Sequence, residues 1–296
     1  MSKQKNFLGY FYAMASAVIH GCMPIMAKYI YADGVSPLSL VFFQTFFALP
    51  SLALLAFRQQ KTLKAPLRIV LPLGLLALFG CVLAPMLLFS SYNFLASGTA
   101  TVFHFVYPSL VLLLGFIFLK KKIVIGTLVS VVLCFFGIAL FYDPAESINL
   151  TGAALALASG LAFAIYVLLL PRFKSDNISG FLFSFYIALF SSVIMFVICL
   201  VTKQFTLPAT LKGFGLCLLF AMSVTTGGVV LFQQGAFIIG GEKAAILGAL
   251  EPITSVIIGI LVFKESLKAN TLIGSALVIA ATIIIAVIDL RAQTAK

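Results

Sequence analysis

Charge is what this chain has least of. Only 9% of its 296 residues are Asp, Glu, Lys or Arg, and only 8 are acids, where soluble domains carry roughly 25% charged residues. A surface so poor in charge cannot hold a folded chain in water, which excludes an ordinary soluble enzyme. Tryptophan is absent, so an aromatic cage for quaternary ammonium would lack its best member. The 5 cysteines, Cys22, Cys81, Cys134, Cys199 and Cys217, show no CxxC spacing. They indicate neither a disulfide framework nor a zinc site and read as small packing residues. HExxH, GxSxG and phosphate-cradling glycine loops are missing too, so no catalytic residue, metal ligand or cofactor is assigned. The alternating segments of about 10 residues that mark an outer-membrane barrel are likewise not found.

What is present is apolar. Hydrophobic residues make up 62% of the chain, and they fall in runs near the roughly 20 residues that a spanning helix needs. Ten spans are expected: Leu8 to Ile30, Pro37 to Phe57, Leu67 to Ser90, Gly98 to Leu119, Val124 to Tyr142, Thr151 to Leu170, Gly180 to Val201, Gly213 to Ile239, Ala244 to Phe263, and Thr271 to Ile288. The fold class is an all-α polytopic membrane protein, with the lipid bilayer as its surroundings and connections too short for a soluble catalytic or DNA-binding domain. The first run follows only "MSKQKN" without a small-residue cleavage site and is read as a span, not a signal peptide.

The net charge of +11 would suit nucleic acid, but the bases sit in short loops and not on one face, so no nucleic-acid partner is expected. With the N-terminus inside, the inner segments hold all 19 bases except Lys28, Lys203, Lys212, Lys264 and Lys268. That bias is the positive-inside rule. It predicts a multi-pass protein of the cell inner (plasma) membrane with both termini cytoplasmic.

The chain repeats itself. Shifted by 144 positions, "VYPSLVLLLGFIFLKKKI" (Val106 to Ile123) lies on "LEPITSVIIGILVFKESL" (Leu250 to Leu267), matching Pro108 with Pro252, Gly115 with Gly259 and Lys120 with Lys264. At a shift of 143, Gly9, Ala13, Ala15 and Ser16 recur as Gly152, Ala156, Ala158 and Ser159. Residues 1–146 and 147–296 are therefore read as two units of five spans each. An odd number of spans makes the second unit enter the membrane from the opposite side, giving inverted repeats, which permit alternating access around a midplane site.

Polar residues inside apolar runs are the candidate site. Glu251 is an isolated acid next to Pro252, and an intramembrane carboxylate is by default a functional-site hypothesis. It is expected to face a central cavity and bind a proton or a cationic group, making it the coupling residue; the alternative is an acid satisfied by a neighbour beside the proline break. His104, Tyr107 and Pro108 share one helix side, and Tyr107 is the repeat mate of Glu251. His20 follows Ser16 by one turn, Gln44 is an amide in the core of the first half, and Asn93 closes the third span near its outer end. Gln233 and Gln234 are adjacent, so on a helix they diverge by about 100° and only one can point well into a cavity. His104, Tyr107, Gln233, Gln234, His20, Gln44, Asn93 and Glu251 are the substrate-contacting candidates, each against the reading of a packed or helix-joining polar group. Pro108 and Pro252 are read as paired kinks that act as hinges, or else as static kinks.

The two five-span halves, the "YP" and "EP" of the fourth and ninth spans and the small residues that begin each half resemble the EamA-type family of the drug/metabolite transporter superfamily. The second half ends its ninth span in the "KES" usual there, whereas Lys121 stands where that pattern has a glutamate. Gln44 stands where many members have arginine. The resemblance implies a proton-linked or exchange-type carrier of small organic metabolites, often an exporter, with amino acids or related amphipathic solutes in its range. A lipid-moving protein or scramblase on the same fold is the competing reading, and an intramembrane enzyme a more distant one. The sequence leaves substrate, direction, coupling ion and oligomeric state open, a monomer included. In otherwise unmodified protein, Lys122→Cys and Lys268→Cys are expected to react with an impermeant thiol reagent from opposite membrane faces. Labelling of both from one face would rule out the inverted topology.

Overall fold

The computed structural model describes residues 3–95, 97–120, 125–140, 149–175, 177–263 and 269–294, and every regular element among them is helical. Lys121, Lys122 and the segment from Lys264 to Lys268 lie outside the described residues. Among the described residues, six helices are long and apolar enough to cross a membrane. They are α1 (Asn6–Ala32), α2 (Pro37–Gln60), α3 (Leu67–Ser91), α7 (Leu150–Arg172), α8 (Gly180–Val201) and α9 (Leu211–Ile239). Between and after them run the shorter α4 (Ser97–His104), α5 (Tyr107–Leu119), α6 (Ile125–Ala139), α10 (Gly241–Leu247) and α11 (Leu250–Phe263), and the closing α12 (Ala269–Thr294).

The spans expected around the two prolines are not kinked helices but pairs of helices. α4 and α5 are separated at Phe105 and Val106, and α10 and α11 at Gly248 and Ala249. Pro108 and Pro252 then fall in the first turn of the second helix of each pair, where an N–H has no intrahelical partner in any case. The proline therefore starts a helix instead of bending one. The change from α9 to α10 is made at Gly240, whose φ of +91° suits a residue without a Cβ.

Packing follows the duplication. α1 lies against α9 and α11, while its repeat mate α7 lies against α3, α4 and α5; α2 pairs with α8 and α6 with α12. Each pairing between the halves thus has a counterpart with the halves exchanged. Small residues make the closest of these seams possible, as expected where no hydrophobic force drives helices together in lipid. A Cβ on Gly9 would stand 2.7 Å from Ile239 of α9, and one on Gly152 2.7 Å from the Leu95 side chain at the end of α3. The small residues that open each half are therefore the seam itself. Outward, Leu150, Leu211 and Phe118 are 83%, 88% and 73% exposed, a surface suited to acyl chains and not to water.

Two further features repeat. Ala77–Leu83 within α3 and Ala221–Val229 within α9 are π-helical, and their first residues are 144 apart. π turns are rare and concentrate at functional sites. Ser36 and Ser179, 143 apart, are N-caps that accept from Ser39 N and Leu182 N at 3.1 Å, the usual capping geometry. Their own N–H groups reach into the other half: Ser36 N donates to Thr206 Oγ1 at 2.7 Å and Ser179 N to Gln60 Oε1 at 2.6 Å.

At one end of the bundle this tie is extended. The Thr210 hydroxyl donates to Asp33 Oδ1 at 2.7 Å, Thr210 N to Asp33 Oδ2 at 3.1 Å, and Ala209 N to the Asp33 carbonyl at 3.1 Å. The Thr210 hydroxyl and backbone donors, with Lys212 nearby, hold the Asp33 carboxyl below the usual carboxylate range. A depressed folded-state pKa means the tie contributes above the ordinary carboxylate pKa and is lost as pH falls through the depressed one. Asp33→Ala is expected to speed amide exchange at Ala209 and Thr210 at neutral pH, a difference that closes once the medium is acid enough to protonate Asp33. Equal exchange at neutral pH would show that Asp33 does not hold this end.

Candidate functional site

A cavity with an empty volume of about 850 Å³, counting its open mouth, lies between the halves. Its wall draws on α1, α2, α3, α4, α5, α7, α9 and α11 together with Gly248 at the break between α10 and α11. Many lining residues are repeat mates: Gly80 and Cys81 in one π segment correspond in sequence to Val224 and Thr225 in the other. Tyr107 and Glu251 face the same space from equivalent positions. The cavity stands where the helices depart from regular α form, at two breaks and two π segments.

The polar wall is built by two equivalent serines. The Ser16 hydroxyl donates to the Gly228 carbonyl at 2.8 Å and the Ser159 hydroxyl to the Ala84 carbonyl at 2.7 Å; Ala84 and Gly228 are themselves 144 apart. Each serine also holds a histidine. His20 Nδ1 lies 2.9 Å from the Ser16 carbonyl and 3.2 Å from its hydroxyl, and His104 Nδ1 lies 2.8 Å from the Ser159 hydroxyl. His104 and His20 come from non-equivalent positions, yet they are anchored to equivalent serines.

Aromatic rings complete the wall. His104 and Tyr107 have ring centroids 5.4 Å apart, Tyr107 meets Phe163 edge-on at 4.8 Å, and Phe163 continues to Tyr166 at 5.6 Å and Phe232 at 5.5 Å. The Tyr107 hydroxyl donates to the Ala245 carbonyl at 3.1 Å. Gly80 lets the Tyr166 ring approach, since a Cβ there would collide with it. Glu251 lines the cavity, and among the described residues its carboxyl has neither a hydrogen bond nor an ion pair. Gln44, 5% exposed, likewise lines the cavity with its amide unpaired among the described residues.

Of the residues singled out from sequence, His20, Gln44, His104, Tyr107 and Glu251 meet at this cavity. Gln233 is fully buried behind the wall, where its Nε2 donates to the Tyr166 hydroxyl at 3.0 Å and its Oε1 accepts from Ser184 at 2.5 Å. Gln234 turns away to lie over Gly180, the consequence of one residue of helical rotation. Asn93 is exposed beyond the end of α3. Pro108 and Pro252 are buried next to the breaks. Phe163, Tyr166, Thr225 and Phe232 were not singled out, because apolar or single-hydroxyl residues inside spans carry no distinguishing pattern. Ser16 and Ser159 did carry one, their equal place in both halves.

Residues 7–142 and 150–287 each match the profile described as the EamA-like transporter family. An S-adenosylmethionine uptake transporter of Rickettsia felis is 28% identical over 304 residues, which cover 98% of this chain and 95% of that protein. An uncharacterized transporter of Synechocystis sp. is 29% identical over 204 residues, 65% of this chain and 60% of that one. A crystal structure with 15% sequence identity superposes with a TM-score of 0.72, covering 99% of this chain and 100% of its own; it shows the fold alone.

The two adjacent glutamines give a direct check of this geometry. Gln233→Leu takes from Tyr166 and Ser184 the amide they share and is expected to lower unfolding free energy by about 1–3 kcal/mol. Gln234→Leu is expected to change it by no more than about 0.5 kcal/mol. Thermal unfolding of the two purified variants decides between them; equal losses would contradict the placement.

Proposed function

This chain belongs to the EamA-like transporter family, and from that premise we propose that it is a secondary active carrier that moves small organic metabolites by alternating access. It is a multi-pass membrane protein of the EamA type; the finer points are our reading. The reading takes ten membrane-crossing segments, α4 with α5 and α10 with α11 counting as one each, arranged as inverted repeats at 1–146 and 147–296 in the cell inner membrane, with both termini cytoplasmic.

The observation that carries the reading is the exchange of partners between the halves. The hydrogen bond from Ser16 to Gly228 is matched by that from Ser159 to Ala84, and the cavity lies between the two. A site drawn from both repeats is where two arrangements of similar energy meet, which supports rocking of one half against the other. The breaks before Pro108 and Pro252 are the hinges in this scheme. Glu251, unpaired at the cavity, is the coupling residue, exchanging a proton for a solute group.

For the solute, the relative named for S-adenosylmethionine uptake aligns along nearly the whole chain. We take amino-acid-derived, amphipathic metabolites as the class. The aromatic wall of Tyr107, Phe163, Tyr166 and Phe232 supports a flat ring system in the solute, as in a nucleoside.

Counterflow in sealed proteoliposomes tests this. Labelled S-adenosylmethionine is expected to enter saturably when unlabelled solute or an excess of protons is supplied inside, with the proton-driven entry reduced about tenfold or more in Glu251→Gln. Failure of saturable counterflow for this compound, and also for amino acids, nucleosides, sugars and amines, would overturn the carrier reading.

A further inference from the structure

The geometry points to a cavity that selects solutes by their hydrogen-bond donors and positive charge, such as a protonated amine on a flat ring, and rejects the matching carboxylate. This rests on the reading of the cavity as the solute site.

A hydroxyl has one proton to give, and here most are engaged by backbone carbonyls. Ser16 donates to Gly228, Tyr107 to Ala245, and Thr45 to the carbonyls of Val41 and Phe42 at 3.2 and 3.0 Å. What these groups turn to the cavity is lone pairs.

The histidines follow suit. A carbonyl only accepts, so the Nδ1 of His20 on the Ser16 carbonyl carries the proton. Ser159 gives its proton to Ala84, so the Nδ1 of His104 must donate to Ser159 Oγ. In the neutral imidazole the other nitrogen is then bare. Both rings line the cavity, each bringing an Nε2 that accepts.

Glu251 adds an acid with no partner among the described residues, and none of the lining residues is lysine or arginine. The donors left are the Gln44 amide, the Thr225 hydroxyl, the Tyr166 hydroxyl, which accepts from Gln233 and keeps its own proton, the weak Cys81 thiol and the proton that Glu251 carries until a cation displaces it. A carboxylate or phosphate entering here would find lone pairs, an acid that becomes negative once it gives up its proton, and no lysine or arginine among the described lining residues. An ammonium finds a carboxylate, acceptors and aromatic faces, each of them favourable. The polar network that holds the wall together thereby fixes what the wall can recognise.

Three probes of one shape isolate this effect: tryptamine, the neutral tryptophol and the anionic indole-3-propionate. Equilibrium binding and thermal shift of the purified full chain are expected to give tryptamine at least about a tenfold lower dissociation constant than indole-3-propionate, with tryptophol between. Glu251→Gln is expected to bring tryptamine to the level of tryptophol. Ser159→Ala, which releases the tautomer of the positioning residue His104, is expected to narrow the preference, and Ser159→Thr to restore it. Indole-3-propionate binding as tightly as tryptamine, or no stabilisation by tryptamine, would overturn the inference. Counterflow of S-adenosylmethionine together with a preference for the anion would sink this rule and leave the carrier standing; selective binding without counterflow of any solute would do the reverse.

Discussion

A polar group inside hydrocarbon has to find its partner within the protein, and most of this structure is a set of answers to that constraint. The helices answer it for the backbone. Where helix geometry lapses, at Phe105 and Val106, at Gly248 and Ala249, and in the π segments Ala77–Leu83 and Ala221–Val229, the chain borders a cavity, where water or a solute can make up the difference. The serines at 16 and 159 meet carbonyls beside those lapses. Irregular backbone and polar cavity are one feature.

The same constraint shapes the packing. With no water to squeeze out between helices, close approach has to come from small residues, and Gly9 and Gly152 provide it at equivalent seams. The serines stand on those same faces, two turns along. Seam and site are thus read from one stripe of sequence: glycine and alanine bring the helices together, and the serine at the end of the stripe hydrogen-bonds across the contact. Equivalent stripes do not make the cavity uniform, however, because Tyr107 and Glu251, or His104 and Gly248, line it as unlike mates.

Much of this was legible in the sequence and some was not. Composition carries the membrane assignment and the apolar runs carry the long helices, since twenty apolar residues have few other uses. Pro108 and Pro252 revealed the repeat, but a proline preceded by helical sequence reads as a kink, and only the structure places it at the start of a new helix. Glu251 and the histidines stood out because charge and imidazole are rare in such runs. Gln233 and Gln234 look alike in one dimension; the rotation that buries one behind Tyr166 and lays the other over Gly180 depends on the exact phase of α9, which the π segment before it shifts. Asn93 was drawn into the site by its chemistry and lies outside it because α3 ends at Ser91.

That phase shift has a further consequence. A π segment amounts to one residue more than an α-helix of the same rise needs, so each of these two helices holds a spare residue within its own length. Losing a single residue from the stretch at 77–83 or 221–229 would leave an unbroken α-helix whose two flanks keep the directions they now have. A deletion that would turn one end of an ordinary spanning helix by about 100° against the other is here absorbed in place. Related chains that differ by one residue at this point should therefore be compared by which side chains face inward and not by column in an alignment.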